Sequence, residues 1–164
     1  MRKIIIILGV ALIFGCNGMA QKEKSNEKNR PTFEVQKTTE EWKEILSNDE
    51  FYILRQAGTE APFSSPLNAV KKPGTFVCAG CSTPLYKTEH KFDSGTGWPS
   101  FDRAIPDAVI KDVDYKLGYA RTELLCATCG GHLGHVFNDG PKETTGKRHC
   151  INGDALHFKP KDID

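Results

Sequence analysis

The sequence predicts a mainly β domain that opens with two short helices. Three observations carry that reading. Helical caps and spacings occupy the stretch from residue 38 to residue 58. After Gly58, short apolar runs alternate with Gly, Pro and Asp turns. Four cysteines form two Cys-x-x-Cys turns, each directly after a strand-like run. The 15 glycines and 9 prolines of the 164 residues are spread along the chain, as in a turn-rich β protein rather than a helical bundle.

The elements follow in order. "MRK" and "IIIILGVALIF" have the positive n-region and apolar h-region of a signal peptide, too short to span a bilayer comfortably. Gly15 precedes Cys16, which resembles the bacterial lipobox, where the cysteine becomes a lipidated first residue. The reading is a lipoprotein-type signal peptide over residues 1–15 with Cys16 lipidated; an ordinary signal peptide, or an uncleaved anchor with an incidental cysteine, is the alternative. Cleavage removes Arg2 and Lys3 and takes the formal net charge from +1 to −1. With no concentrated basic surface there is no electrostatic case for a nucleic-acid partner. Residues 16–37 are rich in Lys, Glu and Asn and nearly devoid of large apolar side chains, so they read as a flexible tether. Such a tether would hold the domain about 25 Å from a membrane anchor. The expected location is outside the cytoplasm, lipid-anchored at the cell envelope (periplasmic or outer surface), with membrane contact only through the N-terminal lipid.

"TTEEWKEILS" opens on an N-cap threonine, with Trp42, Ile45 and Leu46 at helical spacing. "NDEFYILRQAG" repeats the plan, with Asn48 or Asp49 as cap and Gly58 as stop. "GTFVC", "AVIKDVDYKLGYARTELLC", "GHVF" and "ALHFKP" then read as antiparallel strands. The reading gives a single domain over residues 38–161.

Cys78-Ala-Gly-Cys81 and Cys126-Ala-Thr-Cys129 are knuckle-like turns with 44 residues between them. Small residues within each let backbone amides turn toward thiolates. Four thiolates in two such pairs suit closed, tetrahedral Zn²⁺ with a structural role, one ion per chain. Disulfides, permitted in an exported protein, and a thioredoxin-like redox pair are the alternatives; the latter wants one pair in a βαβ setting.

Cys150 in "GKRHCING" has no partner at useful spacing. A buried cysteine acting as a small hydrophobe is common, but Lys147, Arg148, His149 and Asn152 surround this one. Arg148 and a histidine would lower the thiol pKa and produce a nucleophile. "CGGHLGHVFNDGP" supplies His132 and His135 as candidate proton donors. Residues three apart on a regular strand face opposite sides, so a turn would be needed to aim both at one site; that ranks His135 above His132. In "HKFDSGTGWPSF", Trp98 in a glycine-flanked loop either lines an apolar pocket or fills the core.

Taken in order, "CAGC", "FDSGTGWPSF", "CATCGGHLGHVFNDGP" and "KRHCING…LHF" resemble the methionine-R-sulfoxide reductases of the B type, from about "TTEEWKEIL" to "HFKPK". The resemblance implies a β-tent-like fold of two antiparallel sheets with a zinc site away from the catalytic pocket. It implies thiol-dependent reduction of the R epimer of methionine sulfoxide, free or in oxidised proteins. By motif match Cys150 is the nucleophile, Arg148 and Asn152 flank it, His132 and His135 face the sulfoxide, and Trp98 holds the substrate methyl; Trp98, His132 and Phe158 form the substrate-binding set.

The chain departs from the family pattern where many members carry a second, resolving cysteine: that position is Thr96. With four cysteines on zinc and Cys16 on lipid, a sulfenic acid at Cys150 would need an external thiol, from a thioredoxin-like protein or a small molecule. His149 stands where tyrosine is frequent and could tune the thiolate. A zinc-stabilised β-tent binding module without catalysis is the competing reading, but it has no use for Cys150 with Arg148 and Asn152. A Cys–His hydrolase lacks an oxyanion-hole signature.

Overall fold

A computed structural model describes residues 32–161. The leader, Cys16 and the tether up to residue 31 lie outside the described residues. The last part of the expected tether is docked rather than free. Val35 N–H donates to Thr128 O at 2.9 Å, and the Phe33 ring lies over Gly130. The compact unit therefore starts at Phe33, not at Thr38.

The two helices form where local chemistry asks for them. In α1 (Thr39–Ile45), Thr38 accepts from Glu41 N–H while the Glu41 side chain accepts from Thr38 N–H, a reciprocal capping box. In α2 (Asn48–Gln56) the same box is made by Ser47 and Glu50. Ser47 is thus the cap rather than Asn48 or Asp49, because only it stands three residues before a glutamate. Ala57 at φ 50° takes the left-handed position that ends α2, and Gly58 N–H closes on Tyr52 O. Both helices turn Trp42, Leu46, Phe51, Ile53 and Leu54 into the core.

Nine strands follow among the described residues: β1 (Gly74–Cys78), β2 (Pro84–Lys87), β3 (Lys91–Phe92), β4 (Ser100–Phe101), β5 (Val109–Asp114), β6 (Arg121–Cys126), β7 (His132–Phe137), β8 (Arg148–Ile151) and β9 (Leu156–Pro160). They build two antiparallel sheets, a three-stranded one in the order β2-β1-β9 and a six-stranded one in the order β3-β4-β8-β7-β6-β5. This is the architecture that the sequence and the resemblance imply.

The sheets meet through aromatics. Phe76 and Tyr86, paired across β1 and β2, pack on Phe101 of the larger sheet at ring separations of 5.0 and 4.3 Å. Such pairs add about 0.5–1.5 kcal/mol each beyond area burial. Phe158 pairs with Phe76 in the β1–β9 register and sets its ring 4.9 Å away, covering Gly74.

Candidate active site and zinc centre

The register of the larger sheet draws the site. Residues directly opposite one another across antiparallel strands share a face. Ser100 of β4 lies opposite Cys150 of β8, Cys150 opposite His135 of β7, and His135 opposite Glu123 of β6. Ser100, Cys150, His135 and Glu123 thus form one row on one face. Along the chain, Arg148 and Asn152 stand two residues either side of Cys150, so strand alternation brings them to that same side. The intervening His149 points into the core, where its Nδ1 lies 3.2 Å from Tyr86 Oη. Burial first, then Lys111, pushes His149 down to about 4. It is a neutral core residue and does not face the Cys150 sulfur.

His132 joins the row through an irregularity. Leu124 pairs with Gly134 but Leu125 pairs with His132, so Leu133 is an extra residue in β7. A bulge of this kind resets the alternation, and the two histidines three positions apart come together with ring centroids 5.4 Å apart. Gly134 permits it, with φ at 156° and no room for a Cβ, which would stand 2.0 Å from Cys150 O.

Each imidazole has its own carboxylate. His132 Nδ1 meets Glu123 Oε1 at 2.5 Å, and His135 Nε2 meets Asp114 Oδ2 at 2.8 Å. Burial works to raise Asp114, but hydrogen bonds from Lys116 N–H, His135 and Arg121 overrule it and hold the carboxyl at about 2. Burial pushes His135 below its ordinary value against the pull of Asp114. His132 Nε2 is buried with no hydrogen-bond partner among the described residues. A buried orphan nitrogen is costly unless something arrives to meet it. This geometry makes His132 at least the equal of His135, against the ranking that regular strand alternation suggests.

Arg148 forks onto Asp139 with two 2.9 Å hydrogen bonds and lies over the Phe137 ring at 4.6 Å. The Cys150 sulfur is half-buried. Burial pushes its thiol above the ordinary value; the Arg148 charge and hydrogen bonds from Thr96 and Arg148 draw it back without winning. The lowered pKa expected from basic neighbours is therefore not found, because removing the sulfur from water costs the thiolate more than Arg148, already committed to Asp139, returns. Thr96 belongs to a chain of hydroxyls, with Ser94 Oγ 2.8 Å from both Thr96 Oγ1 and Ser100 Oγ.

Trp98 is half-buried, and its Nε1 donates to Glu60 O at 3.2 Å. Asn152 is buried, with Nδ2 donating to Leu133 O and Oδ1 accepting from Glu60 N–H. Phe158 is accounted for differently: its cross-strand row and its ring contacts tie it to Phe76 and Gly74 on the other sheet.

Cys78, Cys81, Cys126 and Cys129 converge, with all four sulfurs within 4.8 Å of one another. Cys78 and Cys129 stand 3.7 Å apart and Cys81 and Cys126 3.5 Å apart. A disulfide needs about 2.05 Å. Tetrahedral zinc at about 2.3 Å per sulfur needs roughly 3.8 Å between sulfurs. Four thiols at that spacing, none bonded to another, fit structural zinc and no disulfide. The centre also braces the site: the Cys126–Cys129 knuckle leads straight into β7, and Ala79 N–H donates to Ala155 O, just past Asn152.

A four-thiol cluster that fits structural zinc, with Cys150 unpaired among the described residues and opposite one of two carboxylate-held imidazoles, is the arrangement of a thiol-based oxidoreductase. Comparison with known proteins agrees: the SelR domain model matches residues 46–160. The peptide methionine sulfoxide reductase MsrB of Leptospira interrogans is 48% identical over 128 residues, covering 77% of this chain and 97% of its own. The Pseudomonas putida protein of the same name is 48% identical over 129 residues, covering 78% and 96%. Peptide methionine sulfoxide reductase B5 of Arabidopsis thaliana is 48% identical over 127 residues, covering 77% and 90%. The chain belongs to the SelR family, the methionine-R-sulfoxide reductases of the B type.

Three carboxylates of this neighbourhood, Glu60, Asp114 and Glu123, escaped the sequence reading. Glu60 lies 93 positions from Gly153 and Asp114 lies 21 from His135, while Glu123 lies only nine from His132; an acidic residue opposite a histidine in a hairpin register is the signal that could have found Glu123.

Proposed function

We propose that this protein reduces the R epimer of methionine sulfoxide, in oxidised proteins or free, with Cys150 as the attacking sulfur. The observation that carries the reading is the row Ser100–Cys150–His135–Glu123 with His132 Nε2 left unpartnered beside it. A sulfoxide sulfur becomes electrophilic as its oxygen accepts a proton, so a sulfur nucleophile and an adjacent acid are both required. In this reading the Cys150 proton moves by way of a histidine to the sulfoxide oxygen as the sulfur attacks. The attack joins the two sulfurs in a transient S–S bond; as that bond and the substrate S–O bond break, the hydroxyl passes to Cys150 and a Cys150 S–O bond forms. The thioether leaves reduced by two electrons, and Cys150 is left as sulfenic acid carrying that proton. The Trp98 indole, pinned at Nε1 with its rings half-exposed, supplies an apolar wall for the substrate methyl. Zinc supplies folding free energy and no chemical step.

Thr96 at the sulfur, in the place of a resolving cysteine, supports an external reductant. Two thiol equivalents, from a thioredoxin-like protein or a small molecule, return Cys150 to the thiol and release a disulfide and water. Export and lipid attachment at Cys16 remain part of the proposal, motivated by the leader sequence; loss of the membrane-bound fraction in Cys16→Ser tests them. The reading as a whole is tested by trapping Cys150 after one turnover without reductant. A sulfenic acid is expected; an unoxidised Cys150 after turnover would contradict the reading, and an intramolecular Cys150 disulfide would contradict the external reductant.

A further inference from the structure

Glu60 is a buried carboxylate in the loop between α2 and β1 that the mechanism above leaves unused. A buried carboxylate must be satisfied to be tolerated, and this one is met by the backbone that follows the nucleophile. Its Oε1 accepts from Gly153 N–H at 2.7 Å and its Oε2 from Asp154 N–H at 2.9 Å. Its backbone is equally committed: Glu60 N–H donates to Asn152 Oδ1 at 3.1 Å, and Glu60 O accepts from Trp98 Nε1 at 3.2 Å. Asn152 in turn holds Leu133 O through Nδ2, between the two histidines. One residue thus joins the indole loop, the histidine strand and the turn after Cys150.

The surroundings leave this joint little slack. A Cβ on Gly153 would stand 1.9 Å from Ser65 Oγ and 3.3 Å from Glu60 Oε1. Three residues on, Phe63 N–H donates to Gly97 O at 2.7 Å, and Asn68 Nδ2 donates to the same oxygen at 2.9 Å. The loop is therefore stitched to the Trp98 loop at two further points, and on the other side the Glu60 carboxylate, together with Glu60 N–H on Asn152 Oδ1, ties it to the nucleophile's strand end.

We propose that Glu60 is a positioning residue that fixes the Trp98 indole relative to the Cys150 sulfur and so sets substrate recognition. The proposal rests on the reductase reading but has a readout independent of turnover. Without the carboxylate, Gly153 and Asp154 N–H lose their acceptors, the loop moves off the Asn152 turn, and the indole moves with the Glu60 carbonyl. A glutamine keeps the volume but turns one amide N–H₂ toward a backbone N–H, so it undoes about half of the clamp.

The experiment uses the full chain with Trp42→Phe as background, leaving Trp98 as the one indole. Glu60→Gln and Glu60→Ala are compared with their parent for KM and kcat on R-sulfoxide, zinc content, and acrylamide quenching of Trp98. KM rises about tenfold in Glu60→Gln and more in Glu60→Ala, with a smaller loss in kcat; quenching increases in the same order and zinc is retained. A lowered melting temperature with KM and quenching unchanged makes Glu60 merely structural and overturns the proposal. If neither variant folds, hydrogen exchange at the Trp98 indole N–H in the parent decides: protection upholds the clamp, and exchange at the free-indole rate overturns it. Parent protein inactive on R-sulfoxide refutes the reductase reading instead and leaves the quenching result to stand alone.

Discussion

Gly134 lies so near Cys150 that a side chain there would meet the nucleophile's own carbonyl oxygen at 2.0 Å. That approach lets β7 bulge at Leu133 and present both histidines to the sulfur's side of the sheet. Gly134→Ala must push β7 from β8 at a backbone-to-backbone contact while adopting an unfavourable φ. The expected cost is on the order of 2 kcal/mol in stability, with kcat falling more than KM rises. Parent-like kcat in this variant would show that the histidine pair does not depend on the bulge.

Glu123 holds His132 at Nδ1 and leaves Nε2 buried without a hydrogen-bond partner among the described residues. Removing the imbalance one atom at a time separates orientation from proton transfer. His132→Ala is expected to lower kcat by about 100-fold or more, and Glu123→Gln by about tenfold, each with little change in zinc content. Steady-state kinetics on R-sulfoxide measure both; full activity in His132→Ala would return the acid role to His135 alone.

Burial raises the Cys150 thiol above its ordinary value. Alkylation by iodoacetamide should therefore begin only at alkaline pH in the resting enzyme, with a midpoint above that of a free thiol. Arg148→Met, which removes the nearest positive charge, should move the midpoint higher still. A midpoint near neutrality would mean a thiolate poised before substrate arrives.

His149 ties stability to acidity. In the fold it is held down to about 4, from 6.5 for a free imidazole. The unfolded chain therefore binds a proton that the folded chain refuses as pH falls from 6.5 toward 4. Stability falls over that window, by at most about 3 kcal/mol from this group. Urea titrations across the window should show the loss, and His149→Phe should flatten it; an unchanged slope in the variant assigns the acid sensitivity elsewhere.

The four converging cysteines fit a structural zinc by position and by donor set. Cys78→Ser is expected to release the metal and lower stability by about 4 kcal/mol or more, and to reduce activity through the slackened entry to β7. Zinc analysis with thermal unfolding checks this, and a melting temperature equal to the parent's argues against the site.

What could be read from the sequence was local. The Thr38 capping box lies within four residues, the knuckles within four, and the alternation of Arg148, Cys150 and Asn152 within five; the second box is as local, but Asn48 and Asp49 compete with Ser47 for the cap until Glu50 is matched to it. β2 and β8 are four residues long and β3 and β4 two, too short to show a period, and they emerge only as the sheets close. The bulge at Leu133 breaks the regular alternation that ranked His135 above His132. The sign of the Cys150 shift depends on burial, which neighbouring residues do not reveal. Glu60 meets Trp98 and Asn152 across 38 and 92 positions, and no pattern in the chain marks that meeting. Phe33 and Val35 sit in a polar stretch that reads as tether, yet two apolar side chains suffice to dock it.

The central claim is that Cys150 carries the chemistry of an R-specific sulfoxide reductase. The most direct measurement supplies separated R and S methionine sulfoxide epimers to the parent and to Cys150→Ser, with dithiothreitol as electron source. The parent should consume the R epimer and leave the S epimer, and Cys150→Ser should consume neither while keeping its zinc and its fold. Turnover of R-sulfoxide by Cys150→Ser, or equal turnover of both epimers by the parent, would contradict the account.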